Sequence, residues 1–203
     1  RQTPERLVMT SPDKAWFDQS PEYWKSINPS INGMLGGYET LAPIDERYSF
    51  EFLDRNMPAN LRGLALDCGA GIGRVSSNVL LKLFDRVSLL ECTAEFLDTA
   101  RKLLPADKIF KFHCKTIQML EPNTEENGMY DLIWFQWVLC YVDDERLCEI
   151  FENAKKLIKP GGYIGVKENT CISDESVFDT DDHSMIRNDV MFKNIFETAG
   201  LKL

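Results

Sequence analysis

Leu64-Ala-Leu-Asp-Cys-Gly-Ala-Gly-Ile-Gly-Arg74 is the stretch of this sequence that predicts the fold. Its first five residues form a short, mostly apolar run typical of a buried strand, and glycines then alternate at positions 69, 71 and 73. Apolar side chains recur beyond them at helical spacing, at Val75, Val79, Leu80 and Leu83. A strand, a tight glycine turn and a helix form a crevice in which backbone N–H groups can approach a ligand closely. A turn that needs a positive φ angle explains one glycine but not three behind Asp67, so the pattern indicates a binding site.

Length, composition and charge favour one soluble α/β domain. The chain has 203 residues, of which 44% are hydrophobic and 27% charged, as in an ordinary globular protein with a real core. Its net charge of -9 argues against a nucleic-acid partner, because phosphate-backbone binders usually present a basic face. The acidity suits a cationic substrate, and it equally suits a role in solubility alone.

The cysteines and histidines give no metal-site pattern. Six cysteines occur without a C-x-x-C pair, and only two histidines are present, so we expect no zinc or haem site. Scattered cysteines of this kind indicate reduced thiols and a cytoplasmic or nuclear protein. The longest apolar run, residues 132–142, is interrupted by Gln136 and falls short of the roughly 20 residues of a membrane span. No signal peptide is recognisable. The first residue is Arg1 and not Met, so the sequence leaves open whether a targeting segment precedes it.

Strand and helix signals alternate from residue 61 onward. Short apolar runs predict strands at residues 64–68, 87–91, 109–113, 131–135 and 163–167. Helical stripes lie between them, at Phe96, Ala100, Leu103 and Leu104, and at Leu147, Ile150, Phe151, Ala154, Leu157 and Ile158. Pro160-Gly-Gly162 is expected to end the second helix, and a last helix is expected at about residues 188–199. This alternation predicts a mostly parallel sheet with helices on both faces. Residues 1–60 form a separate segment with two helical pieces around a glycine-rich turn at residues 32–38.

The glycine spacing distinguishes two kinds of ligand. The dinucleotide fingerprint is G-x-G-x-x-G, whereas this turn is G-x-G-x-G behind Asp67, and so it resembles the first motif of class I S-adenosylmethionine (AdoMet) methyltransferases. Glu91 follows 22 positions after Gly69, at the end of the second strand, where an acid can accept hydrogen bonds from ribose hydroxyls. Arg74 can pair with the methionine carboxylate of AdoMet, and Gln118 is placed for the adenine end. Outside this context, Glu91 would be a solvated acid.

The class resemblance implies a Rossmann-like fold. Such folds usually finish with an antiparallel hairpin after the last helix. Only three residues follow Gly200, so the hairpin is expected to be absent from this sequence and the sheet edge incomplete.

Segments along nearly the whole chain resemble the protein α-N-terminal methyltransferases, which recognise an X-Pro-Lys amino terminus. The matching segments are Tyr23-Trp-Lys25, Gly33-Met-Leu-Gly-Gly-Tyr38, the glycine turn, Ile133-Trp-Phe-Gln-Trp137, Val166-Lys-Glu-Asn169 and Asp182-His-Ser-Met-Ile-Arg187. The glycine turn is generic, but the Met-Leu-Gly-Gly-Tyr turn and the Ile-Trp-x-Gln-Trp strand are specific to the family. The resemblance implies an AdoMet-dependent enzyme that methylates the α-amine of protein N-termini with Pro-Lys at positions two and three.

The resemblance also implies roles for individual residues. The cofactor, which becomes S-adenosylhomocysteine, would be held by Gly69, Gly71, Arg74, Glu91, Cys92, Thr93, Ile117, Gln118 and Gln136. A peptide channel within residues 1–60 and beyond would be lined by Trp24, Leu35, Leu41 and Trp137, with Asp179 and Ser184 also contacting substrate. Asn169, Asp182 and Tyr141 would serve the reacting amine. Without the family, the two tryptophans would most often be core residues and residues 179–182 a solvated acidic loop.

Tyr141 departs from the family pattern. The family commonly has a His at this position, proposed as a general base, and a phenol with a pKa near 10 is a poor base at neutral pH. The demand is modest, because an α-amine has a pKa of about 7.8 and deprotonating it at pH 7 costs about 1.1 kcal/mol. A lysine side chain would cost about 4.6 kcal/mol. Asp182 and a water therefore suffice as the base, with Tyr141 orienting the amine.

Other functions remain open at this point. A small-molecule amine or hydroxyl methyltransferase would share the cofactor core, and a catalytically silent AdoMet-binding adaptor would be compatible with Tyr141. Nucleobase methylation is less expected, because residues 135–137 lack the Asn/Asp-Pro-Pro-aromatic turn of such enzymes. The sequence leaves open the cellular targets, the number of methyl groups added and the oligomeric state.

Overall fold

Five parallel strands form the central sheet, in the order β3-β2-β1-β4-β5. The computed structural model describes residue 12 and residues 14–203. The sheet strands are β1 (Leu64–Cys68), β2 (Arg86–Glu91), β3 (Ile109–Cys114), β4 (Tyr130–Gln136) and β5 (Ile158–Lys167). The strand order reverses between β1 and β4, and ligands bind at the carboxyl ends of the strands at such a switch point. The predicted parallel sheet is confirmed, and its crevice lies at the glycine turn.

Helices and a small hairpin complete the chain. The helices are α1 (Lys14–Phe17), α2 (Ser20–Ser26), α3 (Ile31–Met34), α4 (Ala42–Asn56), α5 (Leu81–Leu83), α6 (Ala94–Leu103), α7 (Asp144–Leu157) and α8 (Asp189–Thr198). Two further strands, β6 (Val177–Asp179) and β7 (Ser184–Ile186), pair antiparallel in a separate hairpin before α8. A π-helical turn at Ser76–Leu80 leads into α5, and 3-10 turns lie at Glu39–Leu41, Ala106–Lys108, Ile117–Met119 and Leu139–Tyr141.

Hydrophobic residues cover both faces of the sheet. All five residues of β1 and all seven of β4 are buried. Alternate residues of β1 belong to different clusters: Leu66 packs with α7 and α8, whereas Ala65 packs with α4, α5 and α6. Strands buried on both sides are expected in a parallel sheet between two helical layers. Leu53 of α4 belongs to the second cluster, so the described part of residues 1–60 shares the core of residues 61–203.

The end of α7 differs from the prediction. Asp143 caps the helix, since its side chain accepts a hydrogen bond from the N–H of Arg146, and the helix ends at Leu157. Ile158 was expected in the helix but is extended and begins β5. Tyr130 pairs with Ile158, and the next pair is Leu132 with Tyr163, so β5 has more residues between the two pairs than β4 has. Pro160-Gly-Gly162 lies among these extra residues and forms a bulge within β5. The turn residues therefore interrupt a strand and do not precede one.

The first 60 residues are also more divided than expected. In residues 14–60, four helices replace the two predicted pieces: α1 and α2 are separate, and α3 overlaps the predicted glycine-rich turn and ends before Gly36 and Gly37, which adopt positive φ angles. Residues 1–11 and 13 lie outside the described residues. This arrangement places α2 and α3 beside the glycine turn and α4 against the sheet.

Candidate active site

The glycine turn after β1 is fixed by backbone geometry and by close neighbours. Gly69, Gly71 and Gly73 have φ angles of 71°, 55° and 80°, which side-chain-bearing residues rarely adopt. A Cβ at Gly69 would lie 2.5 Å from Val138, and one at Gly71 would lie 2.6 Å from Met34. The N–H groups of Gly69 and Ala70 donate to the carbonyl of Leu90, which ties the turn to β2. The predicted need for several glycines is thus explained residue by residue.

A cavity opens beside this turn. Most of the predicted site residues line it: Trp24, Gly69, Gly71, Arg74, Glu91, Cys92, Ile117, Gln118, Gln136, Trp137 and Tyr141. Met34, Phe96 and Lys115 line it as well, and sequence reasoning missed them. Phe96 belonged to a predicted helical stripe and Met34 to the glycine-rich turn, and only the fold reveals that both face the cavity. The strand ends and the helices α2 and α3 therefore enclose one site.

Glu91 is held rigidly at the end of β2. One carboxylate oxygen accepts the N–H of Gly71 at 2.9 Å and the other accepts the N–H of Thr93 at 2.8 Å. The residue is buried and faces the cavity. Burial, followed by the charge of Glu91, raises the pKa of the neighbouring Cys92 to about 12, so this thiol stays protonated. Glu91 therefore presents fixed acceptors, and Cys92 contributes shape and not reactivity.

Asp45 of α4 binds two of the predicted cofactor residues. Its carboxylate lies 2.8 Å from Arg74 Nη1 and accepts Gln136 Nε2 at 2.9 and 3.0 Å. Lys167 Nζ also donates to this carboxylate and, at 2.8 Å, to Ser49 Oγ. Burial acts to raise the pKa of Asp45, but Lys167 and Arg74 hold it below its usual value. Asp45 is a functional candidate that gave no sequence signal, since an acid on an amphipathic helix is normally solvated.

Asp67 fastens the first strand to the helix behind the turn. Ser76 Oγ donates to its carboxylate at 2.6 Å, and both residues are buried. Burial raises the pKa of Asp67 to about 6 in spite of this hydrogen bond and of Arg74. Asp67, which precedes the glycines, thus fixes the position of the turn through its hydrogen bond with Ser76.

Tyr141 and Asp182 meet at the edge of the cavity. The Tyr141 hydroxyl donates to Asp182 Oδ2 at 2.9 Å, and the N–H of Ser184 donates to Asp182 Oδ1 at 3.0 Å. The ring of Trp24 stands perpendicular to the Tyr141 ring, with centroids 5.8 Å apart. Burial, together with the charge of Asp182, raises the pKa of Tyr141 far above its ordinary value. Tyr141 therefore keeps its proton at neutral pH and acts as a hydrogen-bond donor.

The β6–β7 hairpin supplies negative charge next to α2. After burial, the charges of Asp182, Asp179 and Asp181 raise the pKa of Tyr23. Asp179 is exposed and accepts a hydrogen bond from the N–H of Asp181 at 2.9 Å, whereas Ser184 is buried. This end of the site would attract a cation.

Several predicted site residues do not line the cavity. Thr93 is buried and precedes α6, Leu35 is half-buried, Leu41 is 51% exposed, and Asn169 is exposed directly after Glu168. The roles assigned to them stay predictions.

Within the described part of the chain, no group of three or more His, Cys, Asp or Glu side chains is arranged to hold a metal ion. None of the described helices is long and apolar enough to span a membrane.

The side chains that line the cavity fit the chemical groups of AdoMet. Arg74 offers a cation to a carboxylate, Glu91 offers fixed acceptors to ribose hydroxyls, and Gln118 lies among the lining residues near Ile117. A five-stranded parallel sheet with this turn and this acid defines a class I AdoMet-dependent methyltransferase.

Comparisons with known proteins place the chain within that class. The family model described as "AdoMet dependent proline di-methyltransferase" matches residues 12–203, and the chain belongs to this family. Alpha N-terminal protein methyltransferase 1 of Arabidopsis thaliana is 38% identical, over 93% of this chain and 71% of the relative. N-terminal Xaa-Pro-Lys N-methyltransferase 1 of Mus musculus is 36% identical, over 94% of this chain and 86% of the relative. A solved Leishmania major SAM-dependent methyltransferase is 33% identical with a TM-score of 0.84, covering 91% of this chain and 73% of that one.

Proposed function

We propose that this protein transfers methyl groups from AdoMet to the α-amine of protein N-termini that begin Xaa-Pro-Lys. One observation carries the proposal: Tyr141 lines the same cavity as the glycine turn and Glu91, and its hydroxyl donates to Asp182 at the edge of that cavity. A methyl donor and an amine can therefore meet at one place. The names of the relatives at 36–38% identity support the same substrate class.

The side chains around the amine divide the work of proton removal. Asp182 has both carboxylate oxygens held, one by Tyr141 and one by the N–H of Ser184, so it faces a substrate ammonium in a fixed orientation. Tyr141 cannot take the proton itself because its pKa is raised. Asp182, with a water, takes the proton from the α-ammonium and leaves the neutral amine, a step that costs only about 1.1 kcal/mol at pH 7. AdoMet, when bound, supplies an electrophilic methyl group on a sulfonium, and alignment of the amine provides most of the acceleration.

Aromatic and acidic side chains would select the peptide. Trp24 and Trp137 line the cavity, and flat apolar rings suit a proline at position two. The acids of the β6–β7 hairpin, Asp179 and Asp181, would attract the lysine at position three. The charge of this end of the site therefore supports a cationic substrate over a neutral small molecule.

We further infer that the protein works in the cytoplasm or nucleus. The six cysteines lie within the described residues and all are free thiols, which supports a reducing compartment. Imaging of a tagged protein at native expression tests this, and a purely secreted or membrane-bound signal would contradict it.

A matched set of peptides tests the function. Methylation is followed by mass spectrometry with AdoMet and three peptides: a free Xaa-Pro-Lys peptide, its α-N-acetylated twin and an Xaa-Pro-Glu variant. We expect the free peptide to gain methyl mass, the acetylated peptide to stay unmodified and the Glu peptide to show a raised KM. Equal reaction of the acetylated peptide would exclude the α-amine as acceptor. Tight AdoMet binding with no peptide modified would indicate an adaptor.

A further inference from the structure

The loop that follows β4 carries two residues of the acceptor site. Trp137 begins it and Tyr141 lies within its 3-10 turn. Trp137 has a φ angle of 56°, which places a bulky non-glycine residue in the left-handed region. Such a conformation persists only where the surrounding structure over-determines it. The loop must therefore be held in place by its neighbours.

Glu168 holds the beginning of the loop. The last backbone hydrogen bond between β4 and β5 runs from the N–H of Trp137 to the carbonyl of Lys167 at 3.0 Å. The next residue on the β5 side, Glu168, then continues with its side chain. Its Oε1 accepts the N–H groups of both Val138 and Leu139 at 2.7 Å. Backbone pairing between β4 and β5 ends at Trp137, whose backbone is left-handed. Beyond it, one carboxylate oxygen of Glu168 serves as the acceptor for the next two N–H groups.

Arg187 holds the end of the same loop. It is fully buried, and its guanidinium donates to the carbonyls of Leu139, at 3.2 Å, and Val142. Its Nε donates to Asp144 Oδ1 at 2.7 Å at the beginning of α7. The N–H groups at one end of the loop and the carbonyls at the other are therefore bound by side chains of opposite charge. Neither Glu168 nor Arg187 is among the cavity-lining residues.

The environment of Glu168 opposes its charge. Burial raises the pKa of its carboxyl to about 7, although the N–H groups of Leu139, Val138 and Asn169 and the charge of Arg187 act to lower it. Cys140 of the loop also faces it, and its thiol stays neutral because burial raises its pKa. Since the folded-state pKa exceeds the unfolded value of 4.5, stability falls as the pH rises from that value to about 7 and then stays level. The two short hydrogen bonds are thus formed by a group that is costly to ionise there.

We propose that Glu168 and Arg187 are positioning residues that hold the loop of residues 137–142 so that Trp137 and Tyr141 face the acceptor. Through the Tyr141 hydroxyl, the same clamp orients Asp182. The proposal rests on the function proposed above. It predicts effects on peptide recognition and not on AdoMet affinity.

Three variants test the clamp in the full chain. Glu168→Ala removes the acceptor, Glu168→Gln keeps a carbonyl oxygen without the charge, and Glu197→Gln on the exposed part of α8 is the matched control. We expect Glu168→Ala to raise the KM for the Xaa-Pro-Lys peptide about tenfold, because two hydrogen bonds to a charged group are lost. AdoMet affinity, measured by calorimetry, should equal that of the control. Glu168→Gln should keep most of the peptide affinity.

A stability readout separates positioning from a purely structural role. At pH 8, Glu168→Gln should melt at a higher temperature than the wild type, because it removes the ionised carboxylate. The difference should shrink at pH 5, where Glu168 is protonated in the folded state. A peptide KM for Glu168→Ala equal to that of the control, or an equal loss of AdoMet affinity, would overturn the clamp. Absence of peptide methylation by the wild type would instead contradict the proposed function, and the melting comparison would still report on Glu168.

Discussion

The Tyr141 hydroxyl and the N–H of Ser184 occupy different oxygens of Asp182. This arrangement assigns one task to each side chain: Tyr141 keeps its proton and orients, while Asp182 carries the negative charge that faces the amine. A histidine at position 141 would combine donor and base in one ring. With Tyr141 at this position, the burden of proton removal falls on Asp182 and solvent.

Asp182→Asn tests this division directly. The change removes the charge while keeping the size of the side chain, so we expect kcat to fall by at least about 100-fold, the usual contribution of acid–base catalysis. AdoMet affinity should stay unchanged, because Asp182 is outside the cofactor wall. Steady-state kinetics and calorimetry measure the two quantities. Equal losses in both would contradict the assigned role.

Tyr141→Phe is the matched comparison. The ring that packs against Trp24 remains, and only the hydroxyl that donates to Asp182 is lost. We expect a moderate fall in kcat, about tenfold, for the loss of one hydrogen bond to a charged group. The pH–rate profile should keep its shape, and a shift in its limbs would show that Tyr141 itself titrates during the reaction.

Sequence reasoning reached some of these residues and missed others for physical reasons. Glu91 and Arg74 follow from their fixed distance to the glycine turn, and Asp182 and Tyr141 were identified through a family resemblance. Glu168 lay inside a quoted motif but received no role, because its value comes from backbone N–H groups of a loop 30 positions earlier. Such long-range partners leave no periodic signal in a sequence.

Helix α4 connects the N-terminal segment to the cofactor wall through Asp45. The carboxylate sits between Arg74, Gln136 and Lys167, so one residue of the helix orients two side chains of the cavity. Removing one partner from a buried ionic group is costly, because the remaining charges stay uncompensated. The helix therefore contributes to the cofactor site as well as to the core.

Asp45→Asn should weaken AdoMet binding about tenfold and lower the melting temperature, because Arg74 and Lys167 lose a shared anion. Glu51→Gln, on the exposed side of the same helix, is the control. The double variant Asp45→Asn/Lys167→Met should recover stability but not AdoMet affinity. Calorimetry and thermal melting measure both. Recovery of AdoMet affinity in the double variant would show that Asp45 acts only through stability.

Strand positions were predictable, and their ends were less so. Short apolar runs placed β1 to β4 within one residue at each end, and β1 and β4 are buried throughout because they lie in a covered parallel sheet. The beginning of β5 was missed, since Pro160-Gly-Gly162 looks like a helix stop and is accommodated as a bulge. Met34, the last residue of α3, lies against Gly71 of the glycine turn, a contact between distant parts of the chain that has no periodic signal in the sequence.

The molecule as a whole carries a net charge of -9, and part of that charge is concentrated at the acceptor end of the site. Charge and composition predicted a soluble domain and disfavoured nucleic acid, but only the fold places Asp179, Asp181 and Asp182 beside α2. The global architecture was thus predictable from the order of strands and helices, whereas the location of the charge was not.

AdoMet should stabilise the whole molecule by binding the folded state alone. At a ligand concentration of 100 times Kd, the gain is about 2.7 kcal/mol, which raises the melting temperature by roughly 5–11 °C for a domain of this size. Thermal scans with AdoMet, S-adenosylhomocysteine and NADH measure the effect. NADH serves as the control and should give no shift, because the glycine spacing differs from the dinucleotide fingerprint. Equal stabilisation by NADH would contradict the assigned cofactor.

The left-handed backbone of Trp137 sets stability and activity against each other at a single position. Glycine there would release strain of about 1–3 kcal/mol and make the chain easier to fold. It would also remove the indole that lies 5.7 Å from Arg74 and 5.8 Å from Lys167 and forms part of the cavity wall. A screen that rewards only thermostability should therefore drift toward glycine at this site, and a screen that rewards catalysis should retain the strained tryptophan.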